Sequence, residues 1–319
     1  MTPCPPPRQD SALPAFVQEI PPPDLTPYTA GNTGVEGFTT RDSGRAGPHV
    51  VLVSLVHGNE YAGAIVLAEL LANAFMPLRG KLTIGFANLA AFARFDPENP
   101  VASRYVEEDL NRVWDDFSLF GVRHSLELDR ARDIKPIIDS ADILLDLHTM
   151  LWPSEPLILC GAGPRGRALG LTIATPTLVV ADQGHAAGKR MIDYGRFTEN
   201  TPNGATGLLL EAGLHWQASA VTQSRQTVHE VLRQAGMLNA TPKPNTTQPH
   251  LVEVVQLITA RTQRFEFIRA FRGGEIIPRA GTLIAHDGDD EILTPEDNLM
   301  MIIPSLRVGQ GHTAVRLAR

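Results

Sequence analysis

The chain alternates short apolar runs with stretches whose apolar positions recur at helical spacing. His49–Val56 is an unbroken, valine-rich run, the pattern of a strand buried on both faces of a helix-covered sheet. Tyr61–Asn73 sets Ala64, Ile65, Leu67, Ala68, Leu70 and Leu71 along one side of a helix, which predicts packing against that strand. Lys81–Asn88 reads as the next strand, Leu126–Ser140 as mostly helix, and Asp142–His148 as a strand. Pro156–Cys160, Pro176–Ala181 and Gly207–Ala212 are further strands, and Ala218–Ala235 is a helix. Elements interleaved in this way predict an α/β fold, a mixed sheet with helices on both faces.

The pattern changes at both ends. The first 30 residues are proline-rich (Pro5–Pro7, Pro21–Pro23, Pro27) and carry no periodicity, which predicts an extended arm. Thr241–Pro249 is rich in proline and threonine and reads as a linker. Beyond it, short strands are divided by turn residues at Gly273-Gly274, Ala280-Gly281, Asp287-Gly288 and Pro295. The expected organisation is an arm over residues 1–40, an α/β domain over 41–240, and a small C-terminal all-β domain over 250–319.

Composition narrows the function classes. Hydrophobic residues make up 43% and charged residues 20% of the 319, as in an ordinary globular protein. The net charge of −7 argues against a nucleic-acid or anionic-membrane partner. No apolar run approaches the roughly 18 residues of a membrane span, and no basic–apolar signal segment opens the chain. Cys4 and Cys160 are too few for a disulfide framework, which points to a reducing, cytoplasmic setting. Homo-oligomerisation is left open.

Candidate chemistry sits at strand ends. His57-Gly-Asn-Glu60 follows the buried run ending at Val56, where open α/β sheets place their binding crevice. The spacing lets one imidazole and one carboxylate reach a single ion, or else marks a polar surface turn. His148 closes Asp142–His148 and is a third ligand candidate, with Asp146 on the same side of the strand. Two histidines and one glutamate form a known catalytic zinc set that leaves a position for water. Glu211 closes another apolar strand and is either a general base or a strand-end charge facing solvent. Between these pieces lie Arg104 and Glu107–Trp114. Arginine suits a two-pronged grip on carboxylate, so Asn111 and Arg112 could hold an amino-acid carboxylate and Arg104 a developing oxyanion; a solvated charged loop is the alternative.

Taken together, His57-x-x-Glu60, Arg104, Asp109-x-Asn111-Arg112, Asp146-x-His148 and Glu211 resemble, in order and spacing, the succinylglutamate desuccinylase and aspartoacylase family, itself related to zinc carboxypeptidases. The resemblance runs from about residue 49 to residue 215, and the β-rich tail also fits. It implies one zinc on His57, Glu60 and His148, with Glu211 as the base and Arg104 at the scissile carbonyl. It also implies Asn111 and Arg112 at the substrate carboxylate, and Asp109 orienting His57, with Asp146 in a similar part. The implied activity is removal of a small acyl group from an N-acyl amino acid. Some members contribute a tyrosine from the C-terminal domain, and no tyrosine follows Tyr194 here.

Three other readings compete. Gly161-Ala-Gly163-Pro-Arg-Gly166 after a strand, with Asp182 about 20 residues on, is similar to a nicotinamide-dinucleotide fingerprint, although Pro164 and Arg165 follow the second glycine and the motif would have to open a mid-chain unit. A zinc carboxypeptidase would share the metal but need an open groove for peptides. A metal-binding protein without turnover would need neither Glu211 nor Arg104. Glu108, Arg123 and Arg165 are open specificity candidates, and Trp114 and Trp152 either line the pocket or pack. His124, His185, His215, His229, His250, His286 and His312 show no ligand-like spacing and read as ordinary surface or core histidines.

Overall fold

The computed structural model describes residues 16–184, 188–198, 204–239 and 248–319. Cys4, His185, most of the linker and the first half of the arm lie outside them. The elements in chain order begin Phe38–Asp42 (β1), His49–Ser54 (β2), Ala62–Ala72 (α1), Lys81–Phe86 (β3), Leu89–Phe92 (α2), Asp116–Phe120 (α3) and Leu126–Asp139 (α4). They continue Ile143–Met150 (β4), Leu157–Leu159 (β5), Pro164–Ile173 (α5), Leu178–Ala181 (β6), Thr206–Leu214 (β7) and Ala218–Gln234 (α6). The last are His250–Thr259 (β8), Phe265–Phe267 (β9), Ile276–Ile277 (β10), Leu283–Asp287 (β11), Asp290–Leu293 (β12), Leu299–Ile302 (β13) and Thr313–Ala318 (β14).

Eleven strands form one sheet in the order β1-β3-β2-β4-β7-β5-β6-β8-β14-β13-β10. Strands β3, β2, β4 and β7 run parallel, so their carboxyl ends share one edge. The expected mixed sheet is present, with helices on both faces. On one face α1 and α6 bury Leu67, Leu71, Val228 and Leu232 against Leu52, Leu145 and Leu208. On the other, α4 buries Leu128, Ala131, Ile134 and Ile138 against Val51, Leu144 and Leu209. Helix α4 starts where Ser125 caps it by accepting from the Leu128 N–H, with Glu127 and Asp129 in the first turn. Gly63 lets α1 approach β4 closely, since a Cβ there would stand 2.7 Å from Leu147 Cβ.

The C-terminal strands continue the main sheet. β8 pairs in parallel with β6 from Leu178↔His250 to Ala181↔Glu253, and β14, β13 and β10 extend it antiparallel. β12, β11 and β9 form a separate three-stranded sheet. Ile258, Phe271, Ile284, Leu299, Met301 and Leu317 build a core of their own, whereas Val252, Ile302 and Ala318 join the main one. The C-terminal part is therefore welded to the α/β sheet along β6–β8.

Candidate metal centre and active site

His57 and Glu60 lie in the turn between β2 and α1. The turn is packed tightly: a Cβ on Gly58 would meet the Ala91 carbonyl carbon at 2.4 Å, and the Gly58 N–H donates to Arg104 O at 3.0 Å. The Trp216 indole N–H donates to Asn59 O at 2.8 Å and fastens the same turn from β7's far end. His148 lies near the end of β4. The carboxylate of Glu60 stands between the two rings, with His57 Nδ1 2.8 Å from Oε1 and His148 Nδ1 3.0 Å from Oε2. One ligand atom from each of the three residues falls within 4.8 Å of the others, and all three are buried.

Both far ring nitrogens face carboxylates. His57 Nε2 lies 2.9 Å from Asp109 Oδ1, and His148 Nε2 lies 2.8 Å from Asp146 Oδ2. The second contact is an ion-pair approach whose angle falls short of a hydrogen bond. Metal-ligating imidazoles typically have their other nitrogen held in this manner. Asp146, for which the sequence offers no partner, thus finds one two residues along its own strand. Burial works against the charge on Glu60, yet His57 and His148 hold its carboxyl well below the usual range. Burial likewise opposes the Asp109 charge, and His57 and Arg104 overcome it. The donor set, two buried Nδ1 atoms and one carboxylate, fits a small divalent cation such as zinc.

Glu211 is cross-strand from His148 in the β4–β7 register. Its Oε2 is buried without a hydrogen-bond partner among the described residues. Burial, reinforced by the charge of Glu60, pushes its carboxyl up to about 8.

The segment carrying Arg104 to Arg112 is held by one buried carboxylate. Glu127 of α4 accepts from the backbone N–H groups of Val106, Glu107 and Glu108 at 2.6, 3.0 and 3.2 Å. Arg104 Nη1 donates to Glu60 Oε1 at 3.0 Å and Nη2 to Asp109 Oδ2 at 3.3 Å. Its side chain keeps 35% exposure, so the guanidinium bridges the ligand cluster and the cavity. Asn111 is more committed than the sequence suggests: Oδ1 accepts from Met191 N–H at 2.8 Å, and Nδ2 lies 3.4 Å from His148 Nε2. Arg112 Nη1 donates to Asn111 O at 2.7 Å. Burial is the main cause that lowers Arg112 to about 10; Asp109 opposes the shift, and Arg104, Arg316 and Arg190 add to it.

These residues line one cavity of about 550 Å³. Its wall includes Thr149, Arg190, Arg307 and Arg316, which the sequence does not single out, and also His215 and His312, which the sequence reads as ordinary surface or core histidines. Ile303, Pro304, Ser305, Arg307, Val308, His312, Thr313 and Arg316 bring the C-terminal part to the cavity, where two arginines and a histidine but no tyrosine are among the lining residues it contributes. His215 follows β7 beyond the register shift that breaks the strand alternation between Glu211 and Leu214, so spacing alone does not place it on the cavity wall. Arg190 and Arg316 form a buried network with Asp182. Arg190 Nη1 donates to Asp182 Oδ2 at 3.0 Å, Arg190 Nε to Asp193 Oδ2 at 2.7 Å, and Arg316 Nε to Asp182 Oδ2 at 3.1 Å.

That network also bears on the dinucleotide reading, because Asp182, the acid it would need, is engaged by two arginines. Gly166 serves packing: a Cβ there would stand 2.1 Å from Cys160 O. Trp114 is fully buried against Tyr194, whereas Trp152 lines the cavity. Glu108 lines it too, paired with Arg123 and Ser125, while Arg165 donates to Gly204 O.

With this geometry in hand, comparison with known proteins gives the class. The sequence profile of the succinylglutamate desuccinylase/aspartoacylase catalytic domain matches residues 46–235, and the chain belongs to that family. The fold is that of several solved members. A succinylglutamate desuccinylase from Vibrio cholerae is 17% identical, with a TM-score of 0.69 over 89% of this chain and 85% of that one. A succinylglutamate desuccinylase/aspartoacylase from Rhodobacter sphaeroides is 20% identical, with a TM-score of 0.62 over 88% of each chain. The ectoine utilization protein of Ruegeria pomeroyi, solved with product bound, is 17% identical with a TM-score of 0.60 over 88% of each chain. No helix among the described residues is long and apolar enough to cross a membrane.

Proposed function

We propose that the protein is a cytoplasmic zinc-dependent deacylase that removes a small acyl group from an N-acyl amino acid. The observation that carries this reading is the convergence of His57 Nδ1, His148 Nδ1 and the Glu60 carboxylate beside Glu211, whose buried Oε2 has no hydrogen-bond partner among the described residues. Family membership supports it, and the C-terminal wall of the cavity favours a small substrate over a peptide. One zinc, held by His57, Glu60 and His148, would supply Lewis acidity and lower the pKa of water toward neutrality.

The chain's own residues then divide the work. Glu211 accepts the proton of the attacking water and delivers it to the leaving amine. Arg104, which lines the cavity beside the ligand cluster, stabilises the carbonyl oxygen as negative charge develops there. Arg112 holds the substrate carboxylate, with Asn111 fixing the turn from which it projects. Asp109 and Asp146 keep each ligand imidazole in one orientation.

The deciding experiment measures metal content and the hydrolysis of a panel of N-acyl amino acids. One zinc per chain with turnover of at least one panel member is the expected result; absence of bound metal would overturn the reading. Two substitutions refine it. Arg104→Ala lowers kcat by about 10²–10³, as loss of one oxyanion donor does, and a change of only a few-fold would remove Arg104 from that role. Arg112→Ala raises KM more than it lowers kcat, because a carboxylate clamp acts in the ground state and the transition state alike. An unchanged KM would assign the carboxylate to another cation.

A further inference from the structure

His215 is a buried histidine that the metal chemistry does not use. It is 5% exposed, lines the cavity, and stands just beyond β7 on the Glu211 side. Its backbone N–H donates to Met150 O at 2.8 Å, and its Nδ1 lies 2.6 Å from Thr149 Oγ1. Here the β4–β7 ladder shifts register between His148 and Met150. Irregularities of this kind re-aim side chains beside functional sites. They leave the Thr149 N–H to donate to Glu60 Oε2 at 3.0 Å rather than across the ladder.

The Thr149 hydroxyl has no other partner among the described residues. A buried O–H left without an acceptor is costly, so it donates to His215 Nδ1. The ring proton then resides on Nε2, which has no protein partner among the described residues. Burial above all lowers this imidazole to about 4, so the ring is neutral at pH 7. The outcome is a neutral N–H donor on a cavity wall shared with Met150, Leu151 and Trp152. His215 is tied to the end of β4 through Met150 and Thr149, whereas Arg112 is tied to Asn111 O and stands 4.0 Å from Asp109 Oδ2. The two side chains thus reach the cavity from different elements.

We propose that His215 reads the acyl group: its Nε2–H donates to an oxygen carried by the acyl chain beyond the scissile carbonyl, selecting such groups over apolar ones of equal length. The inference rests on the N-acyl amino acid reading above. The test compares succinate with butyrate, acids of the same chain length that differ in a terminal acceptor, binding to the zinc-loaded protein in a calorimeter. Wild type is expected to favour succinate. His215→Phe lowers the succinate-to-butyrate affinity ratio roughly tenfold, as loss of one hydrogen bond to a charged acceptor does, and His215→Gln, which keeps an amide N–H, retains part of it.

Thr149→Val, which removes the hydroxyl that fixes the ring proton, lowers the ratio as well and decides the matter if His215→Phe does not fold. An unchanged ratio, or a parallel loss of both affinities, would overturn the proposal, the second by reducing His215 to support for Thr149. Binding of free acids needs no turnover. A protein that cleaves no panel substrate yet shows the His215-dependent ratio would refute the deacylase reading and leave the donor standing.

Discussion

Glu211→Gln lowers kcat by about 10²–10⁴ while zinc content stays at one per chain. The side chain is nearly isosteric, so the cavity keeps its shape, but an amide can neither take a proton from water nor pass one on. Glu211 faces His148 across the β4–β7 register yet is outside the cluster of three converging ligand atoms, which is why metal content should survive. Turnover on the best panel substrate and zinc by atomic absorption are measured on the same preparations. Near-normal turnover would disqualify Glu211 as the base, and loss of zinc would make it a ligand instead.

The same substitution has an opposite effect on the metal-free protein. Burial and Glu60 raise the Glu211 carboxyl from its ordinary 4.5 to about 8, so the fold prefers the protonated form. Between those values the unfolded chain has released the proton and the folded chain still holds it. Stability therefore falls as pH rises through that window. Glutamine is neutral throughout, so the metal-free variant melts higher than wild type at pH 8 and at the same temperature near pH 4. A difference of equal size at both pH values would show that shape, not charge, is responsible. Catalytic function and stability thus oppose one another at one atom.

Asp182→Asn is expected to destabilise the fold by about 3–5 kcal/mol, measured by urea unfolding. Asp182, Arg190 and Arg316 are 4%, 1% and 3% exposed, too little for water to compensate a lost partner. Arg190 retains Asp193, but Arg316 loses the carboxylate that accepts from its Nε. Removing one carboxylate from a buried ion network weakens the compensation of its arginines, and this cost exceeds the net worth of the intact network. A loss below about 1 kcal/mol would mean that water reaches the arginines in the variant. Because Met191 N–H donates to Asn111 Oδ1, the folded fraction should also bind substrate more weakly.

Much of the site can be read from the chain because of where the residues stand. His57 follows an apolar strand of the parallel set, His148 and Glu211 stand in the carboxyl-terminal halves of two others, and parallel strands deliver their carboxyl ends to one edge. Buried polar residues in such runs stand out against their neighbours. The same logic fails for Arg316, which lies in Thr313–Ala318 with its partner Asp182 134 residues away. Nothing local distinguishes it from a solvated charge on an edge strand. The β6–β8 pairing escaped for a related reason. A proline- and threonine-rich linker reads as a boundary whether or not the strand beyond it returns to the same sheet. Arg190 was hidden differently, in a loop whose aperiodic composition carries no face.

The weld along β6–β8 has a consequence for how the protein is made. His57, Glu60, His148 and Glu211 all leave the ribosome before any of β8 to β14. The ligand cluster and its base can thus assemble on the parallel strands while Ile303–Thr313 and Arg316 are still unsynthesised and their side of the cavity stands open to solvent. An ion can approach along a path that the finished fold narrows. Asp182 and Arg190 likewise precede Arg316 in the chain, and the third member of their network comes only with β14, which pairs beside β8. The order of residues in the chain thus places the three candidate ligands and Glu211 ahead of every strand that completes the far wall of their cavity, β14 last of all.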